Sequence, residues 1–408
     1  MRGDSPLINI IINKMRRLLL TTGILAMTLF NTGCDNSKND KGMEMTTYKN
    51  DKKFLDEYLE LVELKDGDKM VLLTPDYQGR VMTSTASGEK GNSYGWINRE
   101  LISSQKFLPH ANNFGGEDRM WIGPEGGQFS IFFPSADNFD FEKWQVPSII
   151  DTDSWITLSN SDKKATFGTT TTFTNASGNK FNTRLERDIE LVADTELAEI
   201  IGQEIPSECL SIGFSSKNRV TNIGTNEWTK DSGALSIWIL GQFISSEDNN
   251  VIIPTTGDNA IVDDYFGKVP SDRLVEKDGI YYFKADGQMR GKIGIPPSSA
   301  LDMVFALDKV NKVLTVVKYS FDKTATDYVN SLWAYQEEPF KGDVINSYND
   351  GPLEDGTIMG GFYEIETSSK ALFLKSGETF EHTHTTVHIQ GELEVLEGLL
   401  ANMVENLK

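Results

Sequence analysis

Two short apolar runs, Ile237-Trp238-Ile239-Leu240 and Val251-Ile252-Ile253, indicate the fold class of this chain. Both consist of β-branched, aromatic and other large apolar residues, which favour strands. The polar segment Ser245-Ser246-Glu247-Asp248-Asn249-Asn250 lies between them, and clusters of this kind are typical of turns. Each run is therefore predicted to form a β-strand that is followed or preceded by a turn.

The same pattern recurs along most of the chain. Further short apolar runs occur at residues 70–73, 130–133, 314–317 and 371–374, and most have Gly, Asn, Asp, Ser or Pro close by. Polar β-formers dominate residues 166–174, which predicts a strand that faces solvent. Between residues 70 and 390 we find no convincing helical periodicity. Many closely spaced strands without alternating helices predict a mainly β, antiparallel sandwich rather than a parallel α/β sheet.

Helical periodicity is found at the two ends of the globular part. Apolar residues at helical spacing in residues 54–62 predict a short N-terminal helix. An apolar stripe with glutamates on the other side predicts a C-terminal amphipathic helix at residues 392–407 that packs on the sandwich. We find no internal repeat and no long linker, so residues 50–408 are interpreted as a single domain.

The first 33 residues have the order of a secretory signal peptide. Met15-Arg16-Arg17 is positively charged, residues 18–30 are largely apolar, and small residues precede Cys34. A transmembrane anchor needs about 20 apolar residues, whereas this run has 13 residues and contains three threonines. We therefore expect residues 1–33 to be removed as a signal peptide, and we expect translation to start at Met15.

Cys34 directly follows Thr32-Gly33, which indicates cleavage by a lipoprotein peptidase and lipidation of the cysteine. The usual leucine three residues upstream is replaced here by Asn31. Residues 34–49 are then the lipidated cysteine and a polar tether without apolar periodicity. We expect an exported protein that is lipid-anchored through Cys34 to the cell envelope and faces the periplasm or lies at the outer-membrane surface.

The composition excludes one class of partner. The formal net charge is −21, and it becomes −24 without residues 1–33, which contain four basic residues and one acidic residue. Nucleic-acid binding relies on Lys and Arg that neutralise phosphates, so we expect no nucleic-acid partner. With Cys34 lipidated, Cys209 is the one remaining cysteine, and no internal disulfide is expected.

A polar, glycine-rich segment at residues 110–128 is the densest candidate site. Its five glycines allow a ligand to approach the backbone closely. Polar side chains beside an indole suit a sugar ring, which has hydroxyl groups around an apolar C–H face. The alternative is a glycine-rich connection with a local Glu117–Arg119 or Asp118–Arg119 ion pair. The candidate sugar-binding residues are Asn113, Glu117, Arg119, Trp121 and Glu125, with Trp96 and Asn349 in other polar blocks.

The segment at residues 381–388 holds three of the four histidines, His382, His384 and His388. On a strand these three side chains share one face, as metal ligands or proton-transfer groups do. A cupin-like metal site normally takes another histidine from a downstream motif, and no histidine follows His388. We therefore favour ordinary buried or solvent-facing histidines over a metal site, and we predict no metal and no cofactor.

Several blocks of the sequence resemble an uncharacterised family of bacterial lipoproteins over residues 50–390. That family in turn resembles, more remotely, proteins with the galactose mutarotase-like β-supersandwich. The resemblance implies that residues 50–408 form a single antiparallel β-supersandwich. The blocks that carry it lie at residues 78–85, 94–98, 115–128, 233–241, 264–268, 290–294, 348–351 and 362–366.

The resemblance also implies a set of candidate catalytic residues. In mutarotase-like enzymes a histidine acts as general acid, a glutamate near the C-terminus acts as general base and an arginine holds the sugar. The positions that match these roles here are His110 or His384, Glu364 or Glu366, and Arg119. Glu364 and Glu366 are two residues apart on a predicted strand, so they share a face, and the alternative is a pair of solvent-facing carboxylates.

Three functions remain open at this point. The first is carbohydrate binding, with or without aldose 1-epimerase-like acid–base chemistry of an isomerase. The second is a non-catalytic subunit that binds a glycan or a partner protein. The third is a metal enzyme centred on the histidine strand. Convergence of His110, Glu117, Arg119, Glu364 and one of the three C-terminal histidines on one concave face would favour the acid–base function. Carboxylates on opposite faces would favour the non-catalytic subunit.

Overall fold

The computed structural model describes residues 45–256, 261–353 and 356–407. The predicted signal peptide at residues 1–33, the predicted lipidation site Cys34 and residues 35–44 of the predicted tether lie outside the described residues. The last two residues of the predicted tether, 48 and 49, are helical. Within the described ranges, no helix combines the length and apolar character that crossing a membrane requires.

Four α-helices and eighteen β-strands form the described part of the chain. The helices are α1 Tyr48–Asp56, α2 Arg99–Ser104, α3 Asp194–Ile201 and α4 Leu393–Leu407. The strands are β1 Val62–Asp66, β2 Lys69–Thr74, β3 Arg80–Thr85, β4 Arg119–Gly123, β5 Ile156–Asn160, β6 Lys164–Thr174, β7 Lys180–Leu191, β8 Leu210–Asn222, β9 Ser236–Ile244, β10 Asn249–Pro254, β11 Leu274–Lys277, β12 Ile280–Lys284, β13 Gly291–Ile295, β14 Met303–Asp308, β15 Val313–Tyr319, β16 Ile345–Asn349, β17 Phe362–Ser368 and β18 Thr379–Gln390.

The strands form three sheets, and neighbouring strands in each sheet run antiparallel. The largest sheet has the order β11-β12-β10-β14-β15-β18-β8-β7-β6-β5. A five-stranded sheet has the order β13-β16-β17-β9-β4, and a three-stranded sheet has the order β1-β2-β3. The prediction of a mainly β, antiparallel sandwich is confirmed.

Apolar side chains of the ten-stranded and five-stranded sheets pack against each other. Phe167 of β6 and Leu185 of β7 share a cluster with Ile239 of β9. Val251 of β10 shares a second cluster with Ile365 of β17. All five side chains are fully buried, and burial of each such side chain stabilises the fold by about 1.5–3 kcal/mol.

A helix is present at each predicted end, but the N-terminal helix predicted at residues 54–62 lies at Tyr48–Asp56, and Val62 begins β1. In α4 the buried residues include Leu396 and Leu400, which cluster with Leu314 and Val316 of β15 on the outer side of the ten-stranded sheet. Helix α1 begins after Thr47, whose hydroxyl accepts a hydrogen bond from the Asn50 backbone and so caps the helix.

The structure differs from the sequence-based prediction at several places. Residues 371–374, predicted as a strand, form only an isolated bridge between Leu372 and Leu235. Residues 130–133 are buried but irregular, because the Ser130 hydroxyl accepts a hydrogen bond from the Phe132 backbone and holds a local turn. Helices α2 and α3 lie inside the region where no helix was expected. Each buries only two side chains, Leu101 and Ile102 in α2 and Leu197 and Ile201 in α3, so their periodicity is too short to detect.

Candidate functional site

The outer face of the five-stranded sheet carries charged and amide side chains beside aromatic ones. Gln242 of β9 pairs with Glu364 of β17, Glu364 pairs with Tyr348 of β16, and Tyr348 pairs with Lys292 of β13. Because side chains alternate along a strand, the row formed by these residues projects from one face. We call this surface the polar face, and its charged and amide residues include Arg119, Gln242, Lys292, Glu364 and Glu366.

Arg119 and Gln242 both hold the Glu364 carboxylate. The Arg119 guanidinium donates to Glu364 Oε1 at 2.9 Å, and Gln242 Nε2 donates to the same oxygen at 2.9 Å. Gln242 Nε2 also donates to Asn113 Oδ1 at 2.6 Å. Among the described residues, Glu364 Oε2 accepts no hydrogen bond. One carboxylate oxygen is therefore fixed and the other is available to a ligand.

Glu366 is held in a second network beside the first. Its Oε2 accepts hydrogen bonds from Trp238 Nε1 and from Lys292 Nζ, each at 2.9 Å. The Lys292 ammonium also lies 5.0 Å from the centre of the Trp238 ring, within the range of a cation–π contact. Together these contacts stabilise the negative charge of Glu366 and orient its other oxygen.

Several buried polar atoms of this region have no hydrogen-bond partner in the structure. Buried polar groups in proteins are nearly always hydrogen-bonded, so such a cluster points to a ligand or to bound water. Both donors and acceptors are among them, and the hydroxyl groups of a sugar can pair with either. The atoms are Asn113 Nδ2, Arg119 Nε and Trp121 Nε1 as donors, and Gln242 Oε1 and Glu366 Oε1 as acceptors.

Burial and mutual charge shift the pKa values of the polar face. Burial raises the pKa of Glu364 well above its usual range, although Arg119 opposes the shift. Burial also raises the pKa of Glu125 to about 7, and Lys292 acts in the opposite direction. Burial alone would lower the pKa of Lys292, but the carboxylates of Glu366 and Glu125 raise it. Glu364 and Glu125 can therefore exchange protons near neutral pH.

Aromatic rings surround the charged groups. The Arg119 guanidinium lies 4.6 Å from the centre of the Trp121 ring, and Trp121 meets Trp238 edge-on at 5.4 Å. At the other end of the polar face, the ring of Phe362 lies 4.5 Å from Trp96 and 5.8 Å from Tyr348. These rings are 1–6% exposed and form the apolar surroundings of the charged groups.

The structure brings most of the predicted site residues together. Arg119, Trp121, Glu364 and Glu366 project from the polar face, and Asn113 and Trp96 flank it. Glu125 is partly exposed at one end, where Lys292 and Glu366 influence its charge.

Glu117 and Asn349 are not part of the polar face. Glu117 is fully buried, and its Oε2 accepts hydrogen bonds from His388 Nε2 at 2.7 Å and from Ser84 at 3.0 Å. Asn349 projects from the opposite side of β16, where it accepts from the Gly287 backbone and donates to the Met289 carbonyl. Both side chains serve buried polar contacts, which corrects their assignment to sugar binding.

The three C-terminal histidines lie in the layer between the two large sheets. His384 Nδ1 and His382 Nε2 both bond the Thr367 hydroxyl, at 2.9 and 3.1 Å. Thr367 neighbours Glu366 on β17 and therefore points to the opposite side of the sheet. Burial lowers the pKa of His382 to about 3 and that of His384 to about 4. His384 is thus separated from the carboxylates that it was predicted to assist.

His110 lies in a surface segment rather than on the polar face. Its Nδ1 donates to the Trp144 carbonyl at 2.6 Å, and its ring is 4.7 Å from that of Phe141. No hydrogen bond joins it to a described residue of the polar face. The prediction that a histidine lies beside the carboxylates on one concave face is therefore wrong for both His110 and His384. Over the described ranges, no group of three His, Cys, Asp or Glu side chains is arranged to hold a metal ion.

Sequence reasoning missed three residues of the site, Gln242, Lys292 and Trp238. Lys292 is the second residue of β13, and Trp238 and Gln242 lie in the apolar strand β9. Their proximity follows from the pairing register of five strands that are distant in sequence. The glutamine and the tryptophan in a buried strand were a usable signal, because buried polar groups need a partner.

Comparisons with known proteins support the fold. The structure is similar to that of the Slr1438 protein of Synechocystis sp. PCC 6803, with a TM-score of 0.50 and 12% identity over 82% of this chain and 96% of that chain. It is also similar to a galactose mutarotase-like protein of Lactobacillus casei ATCC 334, with a TM-score of 0.49 and 9% identity over 81% and 100%. For a candidate aldose 1-epimerase of Escherichia coli K12 the values are 0.48 and 9% over 82% and 99%.

At these identities the likeness concerns the fold and not the activity. A comparison with curated proteins gives no match. Residues 46–406, which include every residue of the polar face, match the family of unknown function DUF6786. The chain belongs to that family.

Proposed function

We propose that the protein binds carbohydrate at the polar face and supports aldose 1-epimerase-like acid–base chemistry there. The observation that carries the proposal is the group of unpartnered, buried donors and acceptors around the Arg119–Glu364 pair. A monosaccharide offers hydroxyl groups that both donate and accept, and it offers an apolar face to the neighbouring indoles.

The chemistry uses two carboxyl groups on one strand. Ring opening of a pyranose requires one group to take the proton of the anomeric hydroxyl and another to protonate the ring oxygen. Glu366 suits the first role, because Lys292 and Trp238 stabilise its charge through one oxygen. Glu364 suits the second, because its raised pKa keeps a proton available near neutral pH.

The proposed reaction takes up one proton and releases one proton in each direction, and it needs no cofactor. Glu366 accepts the proton of the anomeric hydroxyl while Glu364 donates a proton to the ring oxygen, and the bond between the anomeric carbon and the ring oxygen breaks. Rotation about the bond to the next carbon and reversal of both proton transfers give the other anomer. Both glutamates then return to their starting protonation states.

Polarimetry tests the chemistry. Freshly dissolved α-anomers of common hexoses and pentoses should equilibrate faster in the presence of the protein. Glu364→Gln should lower this acceleration by about 10²–10⁴-fold, because it removes a positioned proton donor. Glu227→Gln, at an exposed position, is the matched control and should keep the full rate. Equal rates for the two variants would contradict the assignment of Glu364.

One observation favours binding without catalysis as a second candidate function. No histidine of the described chain projects from the polar face, although the resemblance implies a histidine as general acid. Sugar binding without acceleration of anomer exchange would support this second function, and it would leave the location of the site unchanged.

Lipid anchoring is a separate proposal, because Cys34 lies outside the described residues. It is supported by the order of charged segment, apolar segment and cysteine. In detergent-phase partitioning, the wild type should enter the detergent phase and Cys34→Ala should stay in water. Identical partitioning of the two proteins would contradict the anchor.

A further inference from the structure

Arg290 has no ion-pair partner among the described residues, although acidic side chains lie near it in sequence. Asp286 pairs with Arg273 and Lys284. Asp350 accepts hydrogen bonds from the Tyr348 hydroxyl at 2.8 Å and from the Gly360 backbone at 2.7 Å. Both carboxylates are therefore engaged with other groups, while the guanidinium of Arg290 keeps its charge without a bound carboxylate.

Arg290 lies on the same side of the sheet as the proposed carbohydrate site. It directly precedes β13, the strand whose Lys292 projects from the polar face. The Phe266 ring lies 3.8 Å from the Arg290 guanidinium and meets the Tyr348 ring edge-on at 5.9 Å. Tyr348 is paired with Glu364, so these contacts link Arg290 to the polar face.

The guanidinium is held in a defined orientation. Its stacking on Phe266 fixes the plane of the group, and Phe266 is 48% exposed, so the stack lies at an accessible edge. Arg290 Nε is buried and has no hydrogen-bond partner. An oriented guanidinium with unused N–H groups is suited to a planar carboxylate, which it binds through two parallel hydrogen bonds.

We propose that the ligand of the polar face is an acidic sugar, a uronic acid, whose carboxylate is bound by Arg290. The proposal rests on the carbohydrate function proposed above. A carboxylate fits this site, because it is planar and matches the fork of N–H donors of a guanidinium that is stacked on Phe266. The strongly negative net charge of the chain repels anions at long range, so a local cation is required to bind one.

Titration calorimetry with matched sugars tests this proposal. Galacturonic and glucuronic acids are compared with galactose and glucose, which have the same ring but no carboxylate, and with the hexose 6-phosphates. The wild type should prefer a uronic acid over its parent hexose by about 10–100-fold, the range of a hydrogen bond to a charged group. Arg290→Ala should abolish this preference and leave the affinity for the parent hexose unchanged.

Two further variants define the role of the guanidinium. Arg290→Lys keeps the charge but loses the two-pronged geometry, so it should restore only part of the preference. Arg184→Ala removes a half-exposed arginine of β7 and is the control that should retain the full preference. Thermal unfolding of each variant verifies that it is folded.

Each outcome decides one of the two proposals. Equal affinities for uronic acid and hexose, a preference that survives in Arg290→Ala, or tighter binding of the 6-phosphate would overturn the acidic-sugar proposal and leave carbohydrate binding in place. Failure of all of these sugars to bind the wild type would overturn the proposed function itself.

Discussion

Consecutive residues of the same strands lie in two chemically different regions of this protein. Asp118 bonds Arg187 in the layer between the two large sheets, whereas the next residue, Arg119, bonds Glu364 on the polar face. On β17, Thr367 bonds the buried histidines, and the residue before it, Glu366, bonds Lys292 on the polar face. The same backbone therefore supplies both regions.

The two regions are both buried, but they differ in the direction of their pKa shifts. Asp118, Arg187 and Glu366 are 0% exposed, and Arg119 and Glu364 are each 7% exposed. Burial lowers the pKa values of His382 and His384, whereas it raises those of Glu364 and Glu125. We infer that the interior charges stabilise the fold and that the polar face is available to a ligand.

The largest expected effect on stability is in the interior. Asp118 accepts from Arg187 and from the Ser216 hydroxyl, so Asp118→Ala leaves a fully buried guanidinium without its carboxylate. We expect a loss of about 3–5 kcal/mol in the free energy of unfolding, measured by urea denaturation. The control Asp66→Ala breaks an exposed pair with Lys163 and should cost under about 1 kcal/mol. Similar losses in both variants would remove the distinction between interior and surface pairs.

The pH dependence of stability sharpens the comparison. His382 and His384 have folded-state pKa values of about 3 and about 4, against about 6.5 in the unfolded chain. Below pH 6.5 the unfolded state therefore binds protons that the folded state does not. The free energy of unfolding should fall by about 1.4 kcal/mol per pH unit for each histidine between pH 6.5 and pH 4.

A double variant separates this effect from that of the carboxyl groups. The raised pKa values of Glu125 and Glu364 increase the free energy of unfolding on acidification. The reason is that these two groups bind protons at a higher pH in the folded state than in the unfolded state. His382→Gln combined with His384→Gln should therefore show a smaller loss of stability on acidification than the wild type. Parallel curves from urea denaturation at several pH values would contradict neutral, buried histidines.

The sequence predicts the fold better than the site, for a physical reason. Runs such as Ile237-Trp238-Ile239-Leu240 identify strands because burial and strand propensity are local properties. Residues 130–133 are an exception to this rule. The Ser130 hydroxyl accepts a hydrogen bond from the Phe132 backbone, and this local turn replaces the strand that the apolar run predicts.

The site depends on strand register, which is not local. Arg119, Trp121, Glu364 and Glu366 were accessible to prediction because polar and aromatic residues are concentrated in their segments. Lys292 enters the site only because β13 and β17 both pair with β16. His384 was predicted to act with Glu364 or Glu366, but it lies on the other side of β17, beside Thr367. Its position depends on which faces of the two large sheets pack together, and the sequence of one strand does not show this.

The central claim is that the ligand binds on the polar face and not in the interior. Glu366 and Thr367 are neighbours on β17 that point to opposite sides, so they provide the most direct test. The measurement is the affinity for the best sugar ligand of folded Glu366→Gln and Thr367→Val, by titration calorimetry. We predict a loss of about 10–100-fold for Glu366→Gln and a change within about twofold for Thr367→Val. Wild-type affinity in Glu366→Gln, or an equal loss in Thr367→Val, would contradict the account.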